Sequence, residues 1–245
     1  MHRLLSDAVR TLKPAREDRH GPLPPLMLTL TVVTGLVDAV SYLALGHVFV
    51  ANMTGNVVFL GFALAGAQGL SALASVVSMA AFLVGALAGG RLGTRFATHR
   101  GYLLRTSTAV QTVLVAVAVA VVAVADGRVT TGVQYTLIVF LGLAMGLQNA
   151  VARHLAVPDL TTTVLTLTLT GLAADSTPAG GTAPRPGRRI LAVLAMFLGA
   201  LIGAELLRHG HIVLILGLAL LLLAVTSVTT HLLSTADAAW ARPQP

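Results

Sequence analysis

Five stretches of this chain run for about twenty residues with almost no charge: 26–46 carries only Asp38, and 71–90, 106–125, 133–152 and 212–230 carry none. A sixth, 190–204, continues to Leu207 past a single charge, Glu205. An α-helix rises about 1.5 Å per residue, so about 20 apolar residues cross the roughly 30 Å hydrocarbon core of a bilayer. A soluble bundle would need a polar face recurring at helical period on each helix, and these runs have none. Charged residues are 10% of the chain, against roughly 25% in a soluble domain, too few to clothe a globule in water. The expected fold class is all-α, a polytopic membrane helix bundle.

The pI near 11.2 would point to nucleic acid in a soluble protein. In a membrane protein, arginines mark the cytoplasmic side and meet anionic headgroups, so the partner expected is the lipid bilayer and not nucleic acid. Residues 1–25 are polar and basic and lack the continuous apolar core of a signal peptide. They read as a cytosolic tail with an amphipathic surface helix over 2–12. Pro22, Pro24 and Pro25 should stop any helix before the first span. With no cysteine, the chain has no disulfide or thiol chemistry.

FLVGALAGG at 82–90 matches MFLGALIGA at 196–204, and GLVDAVSYLALGHVFVANMTGN at 35–56 matches GLQNAVARHLAVPDLTTTVLT at 146–166 at nearly the same offset. The two matches predict a duplicated unit, 26–126 and 133–233, within one membrane domain. Each unit holds three good spans and one short segment that begins with polar residues, 51–67 in the first and 159–174 in the second. If the short segments cross, there are eight spans, 4+4; if they enter and leave on one side, there are six. Positive charge arbitrates. With the N-terminus inside, eight spans put ten Lys and Arg inside and six outside, and six spans put fourteen inside and two, Arg128 and Arg208, outside. Six spans fit better, with both termini cytoplasmic. Three spans per half make the second half inverted, and the exchange of Arg91 for Glu205 at matched positions agrees. The Pro/Gly-rich stretch 175–189 reads as a flexible cytosolic loop.

Thr31, Thr34, Asp38, Ser41 and Tyr42 form a polar stripe on the first span. Asp38 reads either as a cation- or proton-binding group or as a hydrogen-bonded acid joining helices. Asn52, Thr54, Gly55 and Asn56 suit a broken helix, or else the cap of an ordinary loop. In the second unit Gln148 and Asn149 precede Thr162 and Thr166, and Thr162, Thr166 and Thr170 would stack on one helical face. These nine residues (Asp38, Asn52, Thr54, Gly55, Asn56, Gln148, Asn149, Thr162 and Thr166) form the expected substrate-binding set. Against it stands the habit of threonine to bond its own i−4 carbonyl. Gly85, Gly89 and Gly93, and Gly199 and Gly203, step by four and suit close helix contact, within the chain or in a homodimer. Among eight histidines, only His209 and His211 approach a ligand spacing, at a turn, so no metal is expected. No nucleophile elbow, HExxH or P-loop is present, so neither an enzyme nor a cofactor is expected.

GLVDAVSYLALGHVFVANMTGNVV, followed by MGLQNAVARHLAVPDLTTTVLT, resembles the YoaK-type family of bacterial inner-membrane proteins of unknown function. The likeness spans about 26–233, and its specific parts are TGN at 54–56 and QN with TTxxT at 148–166. It implies a bacterial cytoplasmic membrane location and a hypothetical transport role, with no known substrate or functional residue. The functional expectation is a small-solute transporter or channel, its polar site lying between two broken helices. The rivals are an assembly protein that packs through its glycine faces without a permeation path and, more weakly, a membrane enzyme acting on lipid.

Overall fold

The computed structural model describes residues 2–15, 18–234 and 239–242. Met1, Arg16 and Glu17 of the expected tail lie outside them. The described residues form nine α-helices and two short 3-10 turns, with no strand. Helix α1 is His2–Leu12, α2 Leu23–Ala44, α3 Met53–Leu64, α4 Ala72–Arg95 and α5 Arg100–Val124. Helix α6 is Thr131–Leu155, α7 Thr166–Ala174, α8 Pro186–Arg208 and α9 Ile212–Ser234. Six of these, α2, α4, α5, α6, α8 and α9, are long and apolar enough to cross a bilayer. Helices α3 and α7, at 12 and 9 residues, are not.

Local chemistry sets the helix ends. Ser71, His99 and Thr130 each accept a backbone N–H from the first turn of α4, α5 and α6. The proline cluster separates α1, which ends at Leu12, from the first span. Pro24 and Pro25 lie inside the first turn of α2, where no i−4 bond needs their missing N–H, so they also start that span.

Contacts between helix ends establish which ends lie together. The Arg100 side chain at the start of α5 donates to the Leu155 carbonyl at the end of α6 and lies 3.5 Å from His20, just before α2. Arg105 of α5 meets His231 near the end of α9 at 3.1 Å. Asp159, just past α6, pairs with Arg189 in the first turn of α8 at 2.9 Å. The starts of α2, α5 and α8 and the ends of α4, α6 and α9 therefore share one end of the bundle, called here the near end. Helix α2 leaves the near end and α4 returns to it, so 45–71 does not cross. Helix α6 arrives there and α8 departs from it, so 156–185 does not cross either.

Helices α2 and α6 are the most buried spans and form the centre. Helix α8 packs on α2 and α4 on α6, while α5 and α9 pack together and against the central pair. The glycine faces make the outer contacts close. A Cβ at Gly85 would strike the Leu143 backbone and one at Gly146 the Phe82 backbone, so α4 and α6 interlock reciprocally. Gly35, Gly199 and Gly203 do the same between α2 and α8, a Cβ at Gly35 falling 2.5 Å from the Met196 carbonyl. These faces are therefore occupied inside the chain, the first of the two uses expected for Gly85/Gly89/Gly93 and Gly199/Gly203.

The basic tail forms α1, amphipathic over 2–12, lying on α8. Asp7 accepts the Arg188 N–H at 3.0 Å, and Leu5, Val9 and Leu12 are exposed. The 175–189 segment, read as a flexible loop, contains the 3-10 turn Thr177–Ala179, and α8 begins within it at Pro186. Ala183 donates to the Asp175 carbonyl at 2.7 Å, and Arg185 and Arg189 both hold Asp159.

Candidate functional site

The sequence VFVANMTGNVVFL folds as a re-entrant leg. After α2 ends, Leu45, Val48, Val50 and Ala51 run buried and non-helical back along the bundle. Gln134 holds the Leu45 carbonyl at 2.9 Å, and Asp38 Oδ1 accepts the Ala51 N–H at 3.1 Å. Asp38 lies six residues before the end of α2, so the leg reaches about 9 Å inward. The chain then turns and leaves as α3, which packs on α4 and exposes Val57, Phe62 and Leu64.

Asn56 fixes this turn. Its amide accepts from Phe49 N at 2.8 Å and donates to Phe49 O at 2.6 Å, while Ser78 of α4 also donates to Phe49 O at 2.6 Å. Buried irregular backbone must find partners when no water is at hand, and Asn56 supplies them for Phe49. Gly55 makes room: a Cβ there would fall 2.8 Å from the Phe49 ring, which stacks between Tyr42 and Phe59. Asn52 and Thr54 are exposed, and Asn52 caps α3 without a side-chain bond. Of the first motif, then, only Asn56 is buried, and it is engaged by the Phe49 backbone and the Ser78 hydroxyl.

The second leg enters from the near end. Asn149 lies six residues before the end of α6, as Asp38 does on α2. Its Oδ1 accepts the Thr163 hydroxyl, and its Nδ2 donates to Met145 O at 2.9 Å. The threonine stack expected over 162, 166 and 170 is not made. Helix α7 begins only at Thr166, and Thr162 sits in the leg with a left-handed φ of +65°. Thr166 and Thr170 are exposed. A β-branched residue at positive φ is strained, because its Cβ crowds the backbone.

Between the two anchors, Gln148 Nε2 donates to Thr34 Oγ1 at 2.9 Å and joins α6 to α2. The legs therefore dock at opposite ends of one α2–α6 bridge. Helices α3 and α7 flank it on α4 and α8 respectively. Gln148 Oε1 and Thr162 Oγ1 are buried with no hydrogen-bond partner among the described residues. So are both amide atoms of Gln111 on α5, a residue the motif search passed over. A lone glutamine in TSTAVQTVLVAVAVA was the available signal, since an amide inside a span needs a partner or a purpose.

Among the described residues no group of three or more His, Asp and Glu is arranged to hold a metal. His209 pairs with Glu205 at an exposed turn, 3.2 Å away.

The family profile described as "Protein of unknown function (DUF1275)" matches residues 26–228. The UPF0700 transmembrane protein YoaK of Bacillus subtilis (strain 168) is 32% identical over 151 residues, covering 61% of this chain and 65% of that protein's length. No solved structure matches. By its sequence over nearly all six spans, this integral membrane protein belongs to the DUF1275 family.

Proposed function

We propose that this chain is a small-solute transporter or channel of the bacterial cytoplasmic membrane, built as two inverted halves with both termini inside. The observation that carries this reading is the pair of matched legs, each anchored six residues from the end of its own central helix and entering from the opposite end of the bundle. The exchange of partners between halves supports it: α2–α5 correspond to α6–α9, α8 packs on α2 as α4 does on α6, and α7 packs on α8 as α3 does on α4. Paired breaks at matched places in inverted repeats are a recurring plan for membrane binding sites. Asp38 and Asn149 serve as anchors in this reading. The solute-facing atoms are those left without protein partners among the described residues: both amide atoms of Gln111, Gln148 Oε1 and Thr162 Oγ1. Amide and hydroxyl groups without charge suit a neutral polar or weakly held solute. The reading assigns the chain no catalytic chemistry and no cofactor.

Reconstituted vesicles test it. Swelling in urea or glycerol gradients, and sodium or potassium flux, should exceed that of protein-free vesicles for at least one solute. Thr162→Gly removes the hydroxyl and the backbone strain together. It should keep the fold yet slow that flux about fivefold, the equivalent of one polar contact of about 1 kcal/mol. Vesicles no more permeable than protein-free ones to every probe would end the transport reading and leave the assembly role.

A further inference from the structure

We propose that the near-end pocket between the segment before α2, the α4–α5 turn and the end of α6 is a binding site for a phosphate-type oxyanion. It measures about 530 Å³ and is lined by Arg19, Arg100, His20, His154 and Thr94 among apolar neighbours. No carboxylate lines it among the described residues. The nearest described acid in sequence, Asp18, is engaged by the His20 N–H at 2.8 Å.

Arg100 gives the site its chemistry. It is only 7% exposed. Its Nη2 reaches the Leu155 carbonyl and His20, and its Nη1 is buried without a partner among the described residues. A guanidinium withdrawn from water without a counter-charge is unfavourable, and no carboxylate pairs with this one among the ion pairs of the described residues. Its planar fork matches an oxyanion's spaced oxygens. The first turn of α5 borders the pocket, and its dipole favours negative charge. The potential there is positive enough to act on His20, whose ring is held below its ordinary pKa first by burial and then by Arg100, with Arg188 and Arg19 adding and Asp18 opposing. The pocket lies at one end of the bundle of membrane-length helices, so the oxyanion comes either from an anionic lipid headgroup or from solution. The proposal stands apart from the transport reading, which uses other residues.

The test uses the full chain in an uncharged detergent, with the fluorescence of its one tryptophan, Trp240, following thermal unfolding. Inorganic phosphate is titrated at ionic strength fixed with potassium chloride. In a parallel arm, phosphatidylglycerol is compared with phosphatidylcholine. A saturable rise of the midpoint with phosphate identifies a soluble anion, and a rise with phosphatidylglycerol alone identifies a headgroup. Either rise should vanish in Arg100→Gln. Ala97→Glu covers the case in which that variant fails to fold, since Ala97 is an exposed lining residue whose replacement adds a repelling carboxylate. No rise in either arm beyond its control, or a rise that persists in either variant, overturns the proposal.

Discussion

Asn56 shows how one side chain holds a re-entrant turn together. It answers both the N–H and the carbonyl of Phe49, seven residues back, at 2.8 and 2.6 Å. Asn56→Ala would leave the Phe49 N–H buried without its acceptor, a desolvation penalty of about 1–3 kcal/mol. Ser78→Ala is milder, because Phe49 O keeps the Asn56 donor. Denaturant unfolding in detergent should therefore rank the variants with Asn56→Ala well below Ser78→Ala, and equal losses would show that the asparagine is not the keystone. A helix break near 52–56 was legible from the residue types, but the non-helical stretch ends at Asn52, and Met53–Asn56 form the first turn of α3. The division of labour within it was not. Asn52, Thr54 and Asn56 look alike in sequence, and only the path of Phe49 decides that Asn56 points inward while the other two are exposed. Asp38 carried the same ambiguity, since an acid inside a span reads alike whether it binds an ion or anchors a backbone N–H thirteen residues on.

Between elements, the glycines are the fixed points. Gly85 and Gly146 let α4 and α6 approach until each backbone fills the space a Cβ would need on the other. Gly90, one residue beyond Gly89 on α4, faces open space. Gly85→Val should lower unfolding stability by about 1–3 kcal/mol or prevent assembly, as overpacking does, while Gly90→Val should be near neutral. Equal effects at the two positions would show that glycine content, not the contact, matters. The sequence carried the spacing of these faces but not their partners. A small-xxx-small stripe specifies close approach and is silent on whether the opposing helix is in the same chain. The threonine face failed for a related reason. Spacing by four implies a shared face only where the helix exists, and Thr162 precedes α7 in a left-handed conformation.

At the scale of the molecule, the near end gathers the charge. Arg95, Arg100, Arg105, Arg153, Arg185, Arg188 and Arg189 all sit on helix ends or turns that meet there, while Arg128 and Arg208 occupy the far turns. Hydropathy alone left six and eight spans open, because 51–67 is apolar enough to tempt a crossing and only charge on its far side argues against one. The chain's lack of cysteine makes the choice measurable. Gly66 and Gly69 lie in the far turn after α3, with open space around each, so a cysteine at Gly66 meets no neighbour and costs only the local backbone strain of its φ of +89°. Arg95 closes α4 at the near end and is exposed. In right-side-out cells, an impermeant maleimide should label Gly66→Cys and spare Arg95→Cys until the membrane is opened. If α3 crossed, the two would exchange, Gly66→Cys becoming protected and Arg95→Cys reactive. Because the two sites bracket α4 alone, the paired result fixes the direction of α4. With α2 leaving the near end and α4 returning to it, that direction decides on which face the first leg enters. The second leg must then enter from the other face, since Asn149 anchors it at the near end of α6.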